Sequence, residues 1–364
     1  MKKILWVIDN LGSGGAQRQM VTLAKMLKEK NYDISVVCYS KGDFFADVLA
    51  KEDIPVYWQI EDNYLKRVFA VRRFIRKGKY DVVISFMDVP NFLNCVAAIG
   101  GKKWKVITNE LSAKQSTFTS KKGKIFAWFQ RYSDALICNS HNAKNMWQKY
   151  YPQYKNRLGV IYNPVILPEI KSSYFPKIDG KLNIVIAASY QYLKNPIGVI
   201  KALLLLNKEQ RNEIKINWYG RKEVTIGNSL AFDEASRLIK DNDLSECIKL
   251  HEETKDIIGI MYMADIVGLF SHVEGLPNAV LEGMMLGKPI IMTRISDFNQ
   301  LVSNSNGFLC DADNPESIKN TFVKAIKLSQ DQLSMMGRKS KDIAEHLFSP
   351  EVIVQEWMNK IEKD

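Results

Sequence analysis

The sequence predicts an α/β protein made of two doubly wound parallel-sheet domains. Three observations carry that prediction. Short, continuous apolar runs alternate with helical patterns, and such an alternation belongs to a parallel sheet covered on both faces. The rhythm stops once, at a charged, proline-containing stretch, and then restarts. The 364 residues, 46% apolar and 25% charged, suffice for two domains of roughly 150 residues or more and exclude a disordered or low-complexity chain.

In order, Lys2–Asp9 (KKILWVID) reads as a strand that ends in a glycine-rich turn, followed by a helix over Gln17–Lys28. Asp33–Tyr39 is a second buried strand, and Val56–Ile60, Asp81–Phe86, Lys105–Thr108 and Ala135–Cys138 continue the series. At Val160–Pro168 two prolines bracket an apolar run, and Glu169–Lys181 is the expected linker. The series resumes with Leu182–Ala187, a helix over 196–206, Ile214–Tyr219, a helix over 232–241, Ile248–Leu250, Ile266–Phe270, a helix over 278–286 and Pro289–Met292. A last helix, Pro350–Lys363, offers Val352, Trp357 and Ile361 for packing and is expected to cross back to the first domain. The expected domains are therefore 1–168 and 169–349, with 350–364 as that final helix. They are expected to face each other across a cleft, with ligands at the carboxyl ends of the strands.

The charge is uneven. Residues 1–170 carry 27 basic and 14 acidic side chains, net +13, whereas the remainder carries 24 against 26, net −2. The basic residues gather at Lys66, Arg67, Arg72, Arg73, Arg76, Lys77 and Lys79, and again at Lys102, Lys103, Lys105, Lys114, Lys121, Lys122 and Lys124. Within 64–77 (YLKRVFAVRRFIRK), Leu65, Val68, Val71 and Ile75 share one helical face, with Arg72, Arg73, Arg76 and Lys77 around the other. A surface helix packed on its own sheet and a helix lying on an anionic membrane both fit this pattern. Nucleic acid is not expected as a partner, because no recognition motif accompanies the charge and aromatic residues do not recur between the lysines. No apolar run approaches the ~20 residues that span a bilayer, and Asp9 interrupts the N-terminal run before it could serve as a signal peptide. Cys38, Cys95, Cys138, Cys247 and Cys310 are scattered without metal or redox spacing. A reduced, cytoplasmic protein without a metal site is expected.

Two segments carry chemistry. Leu11-Gly12-Ser13-Gly14-Gly15-Ala16-Gln17-Arg18 places glycines at a strand–helix junction, where backbone N–H groups can approach a phosphate closely. A dinucleotide site is not expected there, since G-x-G-x-x-G is absent and the second strand ends Cys38-Tyr39-Ser40-Lys41 without an acid. A tight turn without a ligand fits the glycines as well. The second segment, Ser271-His272-Val273-Glu274-Gly275-Leu276-Pro277-Asn278-Ala279-Val280-Leu281-Glu282-Gly283, holds two carboxylates eight positions apart between a strand and a helix. Amides at the start of that helix suit a diphosphate. Glu282 suits two neighbouring ribose hydroxyls, and Glu274 whatever the diphosphate carries. As spacing alone, a solvated helix start is an equal reading. Two D-x-D strings, Asp241–Asp243 and Asp311–Asp313, read as loop acids rather than metal ligands.

The stretch from Glu274 to Glu282 resembles the signature E-G-x-P-x-x-x-x-E of the retaining, nucleotide-sugar-dependent glycosyltransferases of family 4, which have the GT-B fold of two Rossmann-like domains. Gly14-Gly15-Ala16, Asn163-Pro164-Val165, Lys194-Asn195 and Gly287-Lys288-Pro289 extend the resemblance along the chain. Ile84-Ser85-Phe86-Met87-Asp88 and Asn109-Glu110 are similar to the branch that builds bacterial surface polysaccharides and lipid-linked oligosaccharides. The resemblance implies that Gly14 and Gly15 approach the donor phosphate or sugar, that Lys194 neutralises the diphosphate leaving group, and that Glu282 holds the ribose. It implies that Glu274 meets the donor sugar's hydroxyls and that Gly275, Leu276, Pro277 and Asn278 line the pocket. Glu274 and Lys194 are thus the catalytic candidates, and Arg18 and Glu110 the acceptor-side candidates.

The implied reaction moves a sugar, from a UDP-sugar by preference, to a glycan or lipid-diphosphate-linked acceptor. It needs no metal cofactor and takes place in the cytoplasm or at the inner face of the membrane. Two departures stand out: Ala188–Leu193 lacks the arginine usual before the lysine, leaving Arg221 as a substitute, and Leu111 follows Glu110 where His or Arg is common. A nucleotide-sugar epimerase or hydrolase of the same fold, or a weakly active or non-catalytic nucleotide- or glycan-binding protein, is the alternative.

Overall fold

The computed structural model describes residues 1–111, 115–170, 173–223 and 227–363. Two compact units divide the chain: Met1–Pro164 together with the segment from Pro350 onward, and Val165–Ser349. Each is a parallel sheet with helices between its strands, so the doubly wound α/β expectation holds for both halves.

In the first unit the strands are β1 (Lys3–Ile8), β2 (Asp33–Cys38), β3 (Val56–Trp58), β4 (Val82–Phe86), β5 (Lys105–Glu110), β6 (Ala135–Cys138) and β7 (Leu158–Val160), in the order β3-β2-β1-β4-β5-β6-β7. β1 and β4 lie at the centre and are buried almost throughout, which is why KILWVI and VVISF read as nearly continuous apolar runs. Their carboxyl ends form the point at which the winding reverses, with the glycine loop after β1 and Met87–Asp88 after β4. The terminal helix Pro350–Glu362 completes this unit. Its Trp357, buried, lies 6.0 Å from the Trp6 ring and 6.4 Å from the Phe86 ring. Glu362 accepts a 2.8 Å hydrogen bond from the Tyr32 hydroxyl and pairs with Lys2 at 2.7 Å.

In the second unit β8 (Leu182–Ala187), β9 (Ile214–Tyr219), β10 (Ile248–His251), β11 (Ile266–Leu269), β12 (Ile290–Thr293) and β13 (Gly307–Cys310) run in the order β10-β9-β8-β11-β12-β13. Here the reversal lies between β8 and β11. The helix Asn278–Met285 packs directly on β11, because a side chain at Gly283 would bring its Cβ within 2.8 Å of Val267. The short edge strands β7 and β13 have only three and four residues; pairing with β6 and β12 makes them.

Much of the expected linker is bound into the second unit. Lys171 and Ser172 lie outside the described residues, but the Tyr174 hydroxyl donates to Asp265 at 2.9 Å and the Lys177 amide donates to the same carboxylate at 2.8 Å. Lys177 Nζ donates to the carbonyls of Ile326 and Leu328, at the end of the helix Pro315–Ile326. Lys288, fully buried, places Nζ 3.0 Å from the Tyr174 ring centroid and 5.0 Å from that of Tyr262. Burial lowers its pKa to about 7, against the opposing pull of Asp265. All five cysteines are buried thiols and serve as small core residues.

Candidate functional site

The loops after β8 and β11 meet at the reversal point of the second sheet. After β8 the chain makes a single 3-10 turn, Tyr192–Lys194, and Asn195 adopts a left-handed conformation with φ +65°. The buried Asn195 side chain accepts from the Gly198 amide at 3.1 Å, capping the helix Pro196–Leu204, and donates to the Ala312 carbonyl at 2.8 Å. Lys194 is thereby held at the edge of the loop. After β11, the His272 amide donates to the Leu193 carbonyl at 2.9 Å and ties the two loops together.

Between them, Lys194 Nζ pairs with Glu274 Oε1 at 2.5 Å, with the two side chains only 19% and 14% exposed. The Ser271 hydroxyl donates to the same oxygen at 2.7 Å. Beneath the loop, the Thr293 hydroxyl donates to the Ser271 carbonyl at 2.7 Å, and the Ser296 hydroxyl donates to the Gly275 carbonyl. Leu276 and Pro277 are buried and anchor the turn, whereas Asn278 is exposed at the first position of the following helix. Glu282 lies partly buried in the second turn of that helix. The arrangement is a largely buried cation paired with one carboxylate just ahead of a helix, with a second carboxylate one turn into that helix. It can compensate a polyanion at one end and accept hydrogen bonds from hydroxyls at the other. Spacing alone does not single out Ser271, Thr293 and Ser296; the last two come from the end of β12 and the loop after it, and only the adjacency of β11 and β12 brings them under Glu274.

Near this loop, the carboxylate of Asp313 pairs with His272 at 3.0 Å and that of Asp311 with Arg294 at 2.8 Å. Arg221 lies with Ala187, Ala188, Ser189, Tyr219, Gly220 and Glu253 around a pocket at the carboxyl ends of β8 and β9. Its guanidinium is engaged by Glu253 at 3.2 Å.

In the first unit, Gly14 caps the helix Gly15–Glu29 from an extended conformation, and Gly14, Gly15 and Arg18 are all exposed. The loop is braced from within: Asn10 accepts from the Gly12 amide at 2.8 Å and the Gln17 amide group donates to Asp9 at 3.0 Å. Glu110, by contrast, is 3% exposed and lines an internal pocket with Asp88, Asn91, Gln130 and Trp147.

The basic helix Tyr64–Lys77 is only partly as expected. Val71 and Ile75 are buried, but Leu65, placed on the packed face by its spacing, is 64% exposed, and so is Phe69 at 66%. Arg72 and Arg76 are not free surface cations. Their guanidinium groups donate to the carbonyls of Val96, Ala97, Ile99 and Gly101, and thus cap the end of the helix Asp88–Ala98. Lys66, Arg73 and Lys77 remain exposed. Lys114 lies outside the described residues. No helix among the described residues is long and apolar enough to cross a membrane.

Residues 13–167 match the family model described as Glycosyltransferase Family 4, and residues 170–342 match that described as Glycosyl transferases group 1. Among curated relatives, the Campylobacter jejuni GalNAc-alpha-(1->4)-GalNAc-alpha-(1->3)-diNAcBac-PP-undecaprenol alpha-1,4-N-acetyl-D-galactosaminyltransferase is 26% identical over 78% of this chain and 77% of its own. The Escherichia coli UDP-Gal:alpha-D-GlcNAc-diphosphoundecaprenol alpha-1,3-galactosyltransferase is 24% identical over 85% of this chain and 84% of its own. Among solved structures, Anabaena HepE in complex with UDP and glucose superimposes with a TM-score of 0.80 at 18% identity, covering 100% of both chains. With the two family models together spanning most of its length, the chain belongs to the family 4 glycosyltransferases and is a glycosyltransferase of two Rossmann-like domains.

Proposed function

We propose that the protein transfers a sugar, with retention and without a metal, from a UDP-sugar to a glycan acceptor carried on a lipid diphosphate, in the synthesis of a bacterial surface polysaccharide. The observation that carries this reading is the Lys194–Glu274 pair at the reversal point of the second sheet, beside the start of the helix that bears Glu282. Departure of the nucleotide leaves negative charge on a diphosphate oxygen, and the Lys194 ammonium and the helix N-terminus supply compensating charge there. Glu282 takes the ribose hydroxyls and Glu274 those of the donor sugar, with Gly275, Leu276, Pro277 and Asn278 shaping the pocket. Gly14 and Gly15 leave the backbone of the turn after β1 open to a phosphate or sugar. Arg18 and Glu110 serve the acceptor side, Arg18 by direct contact from the surface and the buried Glu110 from behind it. The relatives named for undecaprenyl-diphosphate-linked acceptors and the neighbour solved with UDP and glucose support the choice of acceptor and base. A lipid-borne acceptor also suits a first unit that meets the anionic inner membrane face through Leu65, Phe69, Lys66, Arg73 and Lys77.

The test is thermal unfolding with UDP, GDP and ADP at millimolar concentration, on the protein and on Glu282→Ala. A nucleotide at 100 times its Kd adds about 2.7 kcal/mol of stability. A shift selective for UDP and lost in the variant is expected; no shift with any nucleotide overturns the reading.

A further inference from the structure

The Glu274 carboxylate has two oxygens in different circumstances. Oε1 accepts from both Lys194 Nζ and the Ser271 hydroxyl, at 2.5 and 2.7 Å, while Oε2 accepts no hydrogen bond among the described residues. Ser271 is itself fully buried, and its carbonyl accepts from the fully buried Thr293 hydroxyl. The two anchors of Oε1 differ in what a donor would do to them. A diphosphate carries more charge than one carboxylate and competes for the Lys194 ammonium. It has no claim on a hydroxyl lying beneath the loop. We infer that Ser271 is a positioning residue for the donor sugar: it keeps Glu274 held by Oε1, with Oε2 left to accept from the sugar, once the diphosphate draws Lys194 away, and Thr293 holds Ser271 in place for that task. The inference rests on the donor-site reading given above.

That division of labour has a signature which a general loosening of the loop lacks. Free UDP contains the diphosphate but no sugar, so removing the Ser271 hydroxyl should spare UDP and penalise only the sugar's share of binding. The experiment is calorimetric titration of the full-length protein with UDP, UDP-glucose, UDP-galactose and their N-acetylamino forms. In Ser271→Ala, the Kd for UDP stays within about twofold of wild type. The ratio of Kd for the preferred UDP-sugar to Kd for UDP rises about tenfold, as expected for one lost hydrogen bond to a charged group. Thr293→Val moves the ratio in the same direction by a smaller factor, and Thr293→Ser, which keeps the hydroxyl, restores it. Should Ser271→Ala fail to fold, the Thr293 pair decides. An unchanged ratio, or equal weakening of UDP and UDP-sugar, overturns the positioning role while leaving the donor site intact. A wild-type protein that binds neither UDP nor any UDP-sugar overturns the donor-site reading and the inference with it.

Discussion

At the scale of single residues, two lysines in the second unit show how burial and partners decide what a cation does. Lys194 stands beside Glu274 in a half-exposed loop, so in the absence of ligand the carboxylate occupies the charge that a diphosphate needs. Glu274→Gln removes both that competitor and a like charge near the phosphates. Free UDP should therefore bind several-fold more tightly to the variant while sugar transfer falls, a split that titration and a turnover assay resolve together. Lys288 is the opposite case, a cation enclosed by Tyr174 and Tyr262 with its pKa lowered to about 7. Between that value and the ordinary lysine range, the unfolded chain binds a proton that the folded one does not. Stability at this position is therefore reduced below pH 7 and regained as pH rises above it. Each pKa unit corresponds to about 1.4 kcal/mol, so the span amounts to a few kcal/mol. Lys288→Met should flatten the rise in melting temperature between pH 7 and pH 9; an identical rise in both proteins would contradict the assignment.

At the scale of elements, the helix Tyr64–Lys77 divides its cations between two jobs. Arg72 and Arg76 satisfy carbonyls at the end of the helix Asp88–Ala98, contacts that cost about 1–3 kcal/mol when an acceptor is left without its charged donor. Arg72→Ala should lower the melting temperature by several degrees. A triple change of Lys66, Arg73 and Lys77 to Gln should leave it unaltered and reduce co-sedimentation with anionic vesicles. If the triple variant still sediments like the wild type, the membrane proposal for this helix fails. Helical spacing showed the amphipathic face but put Leu65 on the packed side. Leu65 in the first turn stays exposed while Val71 and Ile75 are buried, a matter of what the neighbouring elements cover rather than of periodicity.

At the scale of the whole molecule, the last 13-residue helix belongs to the first unit although it follows the second in sequence. Its anchor is Trp357, packed against Trp6 and Phe86, whose rings lie 5.2 Å from each other. Truncating a buried tryptophan typically costs about 3–5 kcal/mol. Trp357→Ala should therefore lower the unfolding transition of the first unit, whereas UDP should still protect the second. Loss of UDP protection in that variant would show that the two units do not unfold separately.

The alternation of apolar runs and helical patterns by itself determined the two parallel sheets and most of their strands, because a strand buried on both faces is apolar along most of its length. It did not show β7 or β13, whose three and four residues are strands only through the neighbours they pair with. The same limit holds at the site. The run from Glu274 to Glu282 is local and can be read from the chain, and so can the glycine turn after β1. Lys194 is 80 residues from Glu274, and Thr293 is 22 residues from Ser271; only the order β8-β11-β12 sets them side by side. The engagement of Arg72 and Arg76 by the end of another helix was likewise decided in three dimensions. Periodicity records which face of an element is dry, but which group stands opposite a given side chain depends on strand order and helix ends, and tertiary packing alone supplies those.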